Sequence, residues 1–339
     1  MTPAKPAGSA VDTLIAGATR SAFGLLHRLT TPRLSILIFH RVHAHTDELF
    51  PQEIDASQFE RLMRFVARSF RVLSLADAVA GLEQGTLPPR SLVITFDDGY
   101  ADNAQVALPI LQRCGLVASF FVSSGFLDGG RMWNDSVIEI VRACTKSELD
   151  LAFLGQGRCS LAGPQERTAA ILTLLSAIKY LTLGEREEAI SRLLAASGVP
   201  DLPGDLMMRS EQVRELHRAG MEIGAHTVNH PILTTLTPAQ AEGEISSGRD
   251  RLQEIIDAPV ELFAYPNGKP MRDYDQSHVA LLRRLGFRAA VSTAPGVARV
   301  GDGLFELPRF TPWGRSLGTW ATRMLMHQSH TRYELAGST

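Results

Sequence analysis

Short apolar segments alternate with stretches of helical periodicity along the 339-residue chain, and this alternation limits the fold more than any other feature. Helical patterns include residues 57–69, 102–113, 238–256 and 275–285. The predicted strands are 34–39, 70–74, 91–96, 117–123, 221–225, 261–265, 287–292 and 305–310. Strand and helix in turn favour a parallel sheet with right-handed crossovers, and this number of units predicts an α/β barrel.

Two adjacent carboxylates follow one of these strands. Residues 91–96 read Ser-Leu-Val-Ile-Thr-Phe, and Asp97, Asp98 and Gly99 come directly after them. In parallel α/β barrels the chemistry lies at the carboxyl ends of the strands. Both carboxylates are therefore candidates for a site, although an Asp-Asp-Gly sequence taken alone also fits an ordinary turn.

A pair of histidines follows a second strand, 221–225. His226 and His230 stand at i and i+4, a spacing that brings both imidazoles to one side of a helical turn. Taken alone, such a pair also fits a surface or a core. One carboxylate and two imidazoles, however, are a usual ligand set for a catalytic divalent metal. Together the two motifs indicate a metal-dependent hydrolase in which the second carboxylate acts as a base.

These motifs resemble those of a known family. Residues 95–99 and 226–231, Thr-Phe-Asp-Asp-Gly and His-Thr-Val-Asn-His-Pro, are similar to motifs of the polysaccharide deacetylases, carbohydrate esterase family four. Residues 34–42 resemble the first strand of the branch that includes poly-N-acetylglucosamine deacetylases, and 263–268 resemble the third family motif. The similarity spans about 34–315 and implies an irregular (β/α)7-type barrel of the NodB-homology kind. It also implies an N-deacetylase acting on an N-acetylhexosamine glycan or its lipid-linked precursor.

The resemblance assigns roles to individual residues. The metal ligands that it implies are Asp98, His226 and His230. Zn²⁺ is the simplest choice, and Co²⁺, Ni²⁺ and Fe²⁺ suit the same donors. Asp97 would take a proton from the water that attacks the acetamide. The backbone N–H of Tyr265, which precedes Pro266, would stabilise the oxyanion.

Two departures from the better-known family members concern the base and the acid. In those members an arginine in the third motif orients the base, and a Leu-x-His motif supplies the acid. Here Ala264 stands near the arginine position, and 307–309 read Leu-Pro-Arg. We interpret Arg309 as the replacement, pairing with Asp97 and lowering its pKa. His40, at the end of the first strand, is the candidate acid; the alternative is a structural histidine.

A long stretch, about 127–220, separates the fourth strand from the histidine motif. Its centre, 165–197, has helical periodicity with little strand character, and glycines and prolines flank it. We interpret it as a helical insert that either packs along the barrel or forms a substrate-selecting wall at the catalytic face. Trp133 within it either stacks on a sugar ring or is simply buried.

The first 33 residues form an amphipathic segment. Apolar residues recur there at helical spacing, namely Val11, Leu14, Ile15, Ala18, Ala22, Leu25, Leu26 and Leu29. Arg20 and Arg28 lie among them. The pattern predicts a helix packed on the barrel, with an interfacial helix on an anionic membrane as the alternative. Residues 316–339 are predicted to form a C-terminal helix and tail.

Composition excludes several classes of protein. A formal net charge of -2 argues against a nucleic-acid-binding surface. The three cysteines show no Cys-x-x-Cys spacing, and their odd number argues against a disulfide framework. The absence of a signal-peptide pattern predicts a cytoplasmic location, with membrane association as an extension. An O-deacetylase or small-amide hydrolase on the same scaffold, and an inactive glycan-binding homologue, remain open. The sequence does not indicate an oligomeric state.

Overall fold

A curled, mainly parallel sheet lies at the centre of the computed structural model, which describes residues 10–312 and 314–337. The strands are β1 (Arg33–Phe39), β2 (Arg71–Val72), β3 (Ser91–Phe96), β4 (Ser119–Val122), β5 (Glu148–Asp150), β6 (Arg158–Ser160), β7 (Glu222–Ala225), β8 (Leu262–Ala264), β9 (Ala289–Val291) and β10 (Ala298–Arg299). The main sheet runs β10-β1-β3-β4-β7-β8-β9, with β2 also paired to β3 and only β10 antiparallel to its neighbour. The predicted α/β class is therefore confirmed.

Helices connect and cover these strands. They are α1 (Ala10–Leu29), α2 (Ala56–Ser69), α3 (Leu75–Gln84), α4 (Leu108–Cys114), α5 (Trp133–Ala143), α6 (Pro164–Ile178), α7 (Leu183–Ser197), α8 (Ser210–Arg218), α9 (Pro238–Ile256), α10 (Gln276–Arg284) and α11 (Leu317–His327). The boundaries predicted for β3 and α9 agree with the structure. In α9, Thr237 caps the first turn and Gln240 completes a capping box, which explains the sharp start.

The prediction of a regular strand at 305–310 is wrong. Only Leu307 and Phe310 pair, as single parallel bridges to Val291 of β9 and Leu37 of β1. Pro308 between them has no N–H to donate, and the N–H of Arg309 bonds to the carbonyl of Ala294. The segment nevertheless joins the two ends of the curled sheet and so closes the barrel.

The alternation of β3 directs its side chains to two different layers. All six residues are buried. Leu92, Ile94 and Phe96 belong to the apolar layer under the outer helices, whereas Val93 faces the barrel interior together with α3. Since alternate residues share a face, Thr95 and Asp97 continue the interior row towards the carboxyl edge.

The insert between β4 and β7 contains its own small core. Buried apolar side chains of α5, α6 and α7 form one cluster, including Ile140, Ile171, Leu174 and Leu193. Its helical centre is as predicted, but β5 and β6 pair as an antiparallel hairpin that periodicity did not indicate. The assignment of segment and domain boundaries stays a prediction.

Helix α1 packs against α2 and α11 through one face, which buries Ala16 and Phe23. The other face leaves apolar side chains exposed, with Leu14 and Leu29 each 72% accessible. None of the helices described has the length and apolar character needed to cross a membrane. Membrane contact through α1 and a cytoplasmic location stay predictions.

Candidate metal centre and active site

A strained turn at the end of β3 separates the two carboxylates. The N–H of Asp97 still bonds to the carbonyl of Phe39 at 2.9 Å, as in the sheet. Asp98 and Gly99 then take φ values of 78° and 92°, in the left-handed region. A Cβ at Gly99 would lie 2.8 Å from Val122 Cγ1, so a side chain there would require either the turn or Val122 to shift. The turn directs Asp97 and Asp98 to different partners.

Asp98 lies against the two histidines. Its Oδ1 is 3.4 Å from Nε2 of His226 and 3.4 Å from Nε2 of His230. This oxygen is buried and has no hydrogen-bond partner among the described residues. Burial alone would raise the pKa of Asp98, but the two imidazoles hold that pKa well below its usual range.

The donor atoms of this cluster fit a divalent cation. Nδ1 of His226 lies 2.7 Å from the carbonyl of Ala264, which can only accept, so Nδ1 carries a proton and Nε2, on the side of Asp98, is the nitrogen available to a cation. Burial lowers the pKa of His230 to about 3, which keeps that ring neutral as a ligand must be. The three ligand atoms lie within 4.8 Å of one another. A cation among them would satisfy the orphaned oxygen of Asp98.

The histidine motif is an irregular loop, so the predicted helical turn is wrong. Thr227 and His230 have φ values of 65° and 51°. Glu244 of α9 holds this loop, because its carboxylate accepts from the N–H groups of Val228 at 3.0 Å and Asn229 at 2.8 Å. Helix α9 approaches so closely that a Cβ at Gly248 would lie 2.7 Å from the carbonyl carbon of Thr227.

Asp97 is paired with Arg309. The guanidinium donates from both terminal nitrogens to the two carboxylate oxygens at 2.7 Å, and its Nε donates to the carbonyl of Ser292 at 2.9 Å. Both side chains are almost fully buried, with 0% and 3% accessible. Burial alone would raise the pKa of Asp97, but the charge and hydrogen bonds of Arg309, together with the charges of His226 and His40, outweigh it and lower that pKa. Asp97 is thereby held as an anion beside the cluster.

The N–H of Tyr265, the expected oxyanion donor, is engaged in a hydrogen bond. Its N–H bonds to the carbonyl of Val291 at 3.2 Å, and its ring is buried against Tyr274. Pro266 follows, is buried and has no N–H. The first N–H beyond the sheet is that of Asn267, which donates to no described acceptor and belongs to a residue lining the cavity at Asp97.

Two cavities of about 370 Å³ each meet at the cluster. His40, Asp98 and Asn134 line both of them. His40 is exposed and near enough for its charge to lower the pKa of Asp97 and of Asp98. The volumes fall in the range of ligand pockets. Together the cavities form a cleft that extends to both sides of Asp98.

The insert forms one wall of this cleft. Trp133 lines the cavity, half-buried, with the guanidinium of Arg186 4.7 Å from its ring centre. Leu175, Ser176 and Lys179 of the α6 segment line the same cavity. The structure thus places the insert at the catalytic face.

Several residues of the site carried no recognisable sequence signal. Glu244 belongs to no motif and acts through tertiary contacts alone, and Asn267 lies in the 263–268 segment but was not singled out there. Asp135 and Tyr100 line the cavity that does not contain Trp133, and the carboxylate of Asp135 accepts a hydrogen bond from the hydroxyl of Tyr100 at 3.2 Å. Burial raises the pKa of Asp135 to about 7. Trp133 is recognisable from the sequence as a candidate for sugar contact, whereas nothing in the sequence distinguishes Asp135, two residues later, from an ordinary helical carboxylate.

Comparison with known proteins agrees with this geometry. One relative is YxkH from Bacillus subtilis (strain 168), which is named as a polysaccharide deacetylase. It is 21% identical over 279 residues, which cover 82% of this chain and 70% of YxkH. The structure of the Streptococcus pyogenes deacetylase PplD in complex with acetate superposes with a TM-score of 0.59 at 19% identity, covering 88% of this chain and 99% of the other. A de-N-acetylase from Aggregatibacter actinomycetemcomitans gives 0.51 at 18%, covering 82% and 94%.

These structural likenesses establish the fold, and the sequence family goes further. The polysaccharide deacetylase family model matches residues 84–149 and 162–290, more than half of the chain. The matched ranges contain the Asp97-Asp98 turn and the histidine loop. The chain belongs to the polysaccharide deacetylase family.

Proposed function

We propose that this protein is a divalent-metal-dependent deacetylase that removes the acetyl group from N-acetylhexosamine units of a glycan or its lipid-linked precursor. The observation that carries this proposal is the buried Arg309–Asp97 pair next to the Asp98, His226 and His230 cluster, at the centre of an open cleft. A base held ionised beside a metal site is what the hydrolysis of an unreactive amide requires.

Asp98, His226 and His230 would hold the cation, for which Zn²⁺ is our first choice. When bound, such a cation supplies Lewis-acid polarisation of the acetamide carbonyl and a lowered pKa for the attacking water. Every other requirement of the reaction falls on the side chains and backbone of this chain.

Asp97 takes the proton of the water as its oxygen attacks the acetamide carbon. The two hydrogen bonds from Arg309 fix the orientation of this carboxylate and keep it ionised. The N–H of Asn267 donates to the oxyanion that develops on the carbonyl oxygen. This is the role that Tyr265 cannot perform, because its own N–H is engaged in the sheet.

The leaving amine needs a proton before the C–N bond breaks, since an amide anion is a very poor leaving group. His40 is our candidate for this acid, because it is exposed and lines both cavities at Asp98. Acetate and a free amino sugar result. Trp133, in the insert wall, offers part of its ring as a surface on which a sugar can pack.

O-deacetylation is the second candidate, and one observation favours it. The position where a Leu-x-His acid is expected carries Arg309, which is buried and engaged with Asp97. An alcohol leaving group requires less protonation than an amine, so an ester substrate would tolerate a weak acid.

Acetate release decides between these functions. Protein stripped of metal and reloaded with Zn²⁺ or Co²⁺ is incubated with N-acetylglucosamine oligomers and, separately, with an O-acetylated sugar. Metal-restored release from the oligomers that disappears in Asp97→Asn supports the proposal. Release from the ester alone supports O-deacetylation. If metal-loaded protein binds the oligomers and hydrolyses neither substrate, the chain is a glycan-binding homologue.

A further inference from the structure

A free ammonium group faces the active-site cleft from the insert. Lys179, directly after α6, lines the same cavity as Asp97, Asp98 and Trp133. The side chain is half-buried. Its Nζ makes no hydrogen bond or ion pair with any residue that the structure describes, and the ring centre of Tyr180 lies 5.7 Å away. Neither the deacetylase motifs nor the mechanism above uses this group.

The surroundings of Lys179 are rich in positive charge. Burial lowers the pKa of Lys179, and the charges of Lys269, Arg272 and Arg186 lower it further, whereas Asp273 alone opposes them. Asp273 is itself buried, and one of its oxygens accepts from the N–H of Lys269 at 3.0 Å. The wall therefore has more cationic than anionic groups.

The two arginines are held without carboxylate partners among the described residues. Arg186 is buried behind Trp133 and donates to the carbonyls of Lys179 at 3.0 Å and Leu181 at 3.4 Å. Arg272, from the loop after β8, lies 4.8 Å from the ring centre of Tyr180 and so connects the barrel to the insert. These contacts hold two further positive charges next to Lys179.

A neutral sugar does not compensate this arrangement. A hydroxyl can accept a hydrogen bond from an ammonium, but it does not neutralise the repulsion among neighbouring cations. An anionic oxygen group does both, and hydrogen bonds between charged partners are about twice as strong as neutral ones. The cluster of positive charges at this wall of the cleft is thus not required for the removal of an acetyl group.

We propose that Lys179 forms an anion subsite that recognises a phosphate or carboxylate group carried by the glycan next to the N-acetylated sugar. The proposal rests on the proposed function, because it names the class of glycan that the same cleft accepts. Phosphate and carboxylate groups both present anionic oxygens that can accept a hydrogen bond from the ammonium of Lys179. Substrates that carry one group or the other distinguish between them.

Binding and turnover are measured with three disaccharides. These are neutral di-N-acetylchitobiose, the same disaccharide with a phosphate on its reducing end, and N-acetylglucosamine linked to glucuronic acid. Dissociation constants are measured by calorimetry on metal-loaded Asp97→Asn protein, which lacks the base, with and without Lys179→Met. Acetate release is then measured with the base intact. Lys146→Met, on the same insert but outside the cleft, is the matched control.

We expect at least one anionic disaccharide to bind about tenfold or more tightly than the neutral one, and the difference to shrink at high salt. Lys179→Met removes most of this preference, Lys179→Arg retains part of it, and Lys146→Met retains all of it. In turnover the loss appears as a raised KM with little change in kcat. The disaccharide that shows the preference identifies phosphate or carboxylate as the natural group.

Equal binding of all three disaccharides to the parent protein overturns the proposal. A loss on Lys179→Met that is the same for neutral and anionic disaccharides also overturns it, since the lysine then serves general packing. The binding measurement does not depend on catalysis. Absence of acetate release despite Lys179-dependent anion binding therefore counts against the proposed function and not against the subsite.

Discussion

Replacing Arg309 by methionine, which has similar length and no charge, tests the arrangement that sets the state of Asp97. Both side chains are almost fully inaccessible, and two hydrogen bonds of 2.7 Å join them. Loss of one partner of a buried ion pair costs about 3–5 kcal/mol when the other charge stays. Asp97 can escape this cost by taking a proton, because Arg309 is the strongest of the groups that oppose the effect of burial and the variant lacks it.

The magnitude follows from the shift in the pKa of Asp97. A buried carboxyl group without a partner rises by about 3–5 units from an ordinary pKa of about 3.9, to about 7 or above. Each unit is worth about 1.4 kcal/mol, so a rise of three units costs about 4 kcal/mol at neutral pH. This agrees with the cost of leaving the charge unpaired.

The sign of the pH dependence is specific. In the parent protein the pKa of Asp97 is lowered, so its stabilising contribution is present above about pH 4 and is lost at lower pH. In Arg309→Met the folded-state pKa is raised. The part of the deficit that comes from Asp97 is therefore small near pH 4, and it grows by about 1.4 kcal/mol per pH unit up to the new pKa. Lost hydrogen bonds to Ser292 and Thr95 add a constant that does not vary with pH.

The deficit in the free energy of unfolding is measured by urea unfolding of the metal-free proteins at several pH values between about 4.5 and 7.5. The acidic limb is measured separately, from the profile of kcat/KM against pH in the metal-loaded enzymes. We expect that limb to move upward by about three units. Arg158→Met, which breaks an exposed pair with Glu148, is the control and should change neither. Addition of Asp97→Asn to Arg309→Met should abolish the pH dependence of the deficit. A deficit equal at all pH values, with an unmoved limb, would show that Arg309 is only structural.

Three further predictions concern the metal and the base. His230→Ala should lose bound metal as measured by elemental analysis, whereas His217→Ala on α8 should retain it; unchanged metal content in the first would refute the ligand assignment. Asp97→Asn should bind the metal and lower kcat by about 10²–10⁴, and activity near the parent level would require a different base. Glu244→Ala should weaken metal binding about 10–100-fold in a chelator competition, because the loop of His230 loses its support. Equal affinity would show that the loop holds its shape without that carboxylate.

The sequence was sufficient for the parts of the fold that depend on local pattern. The run 91–96 is apolar and β-branched, so its boundaries could be read directly, and the capped pattern of α9 was equally clear. Candidates for the site followed from the same reasoning, because residues after parallel strands meet at one edge of the sheet. Asp97, Asp98 and the two histidines all lie at that edge.

Local pattern failed where a distant partner sets the backbone. The i, i+4 spacing of His226 and His230 suggested a helical turn, but the structure has an irregular loop there. Glu244 of α9 holds that loop through hydrogen bonds, and no sequence motif indicates this role. Residues 305–310 have the composition of a strand, but Pro308 interrupts the hydrogen bonds that a strand would need.

Local chemistry determined which side chains could bind a metal or move a proton, since a carboxylate or an imidazole has those properties wherever it lies. Only the tertiary structure decided how each is used. Arg309 and Asp97 are 212 residues apart in sequence, and closure of the barrel makes them a pair. The N–H of Tyr265 bonds to the carbonyl of Val291, whereas that of Asn267, a residue that lines the cleft, donates to no acceptor among the described residues. A hydrogen-bonding group can act on a substrate only if it is not already bonded to a neighbouring residue, and the folded chain determines which residues are its neighbours.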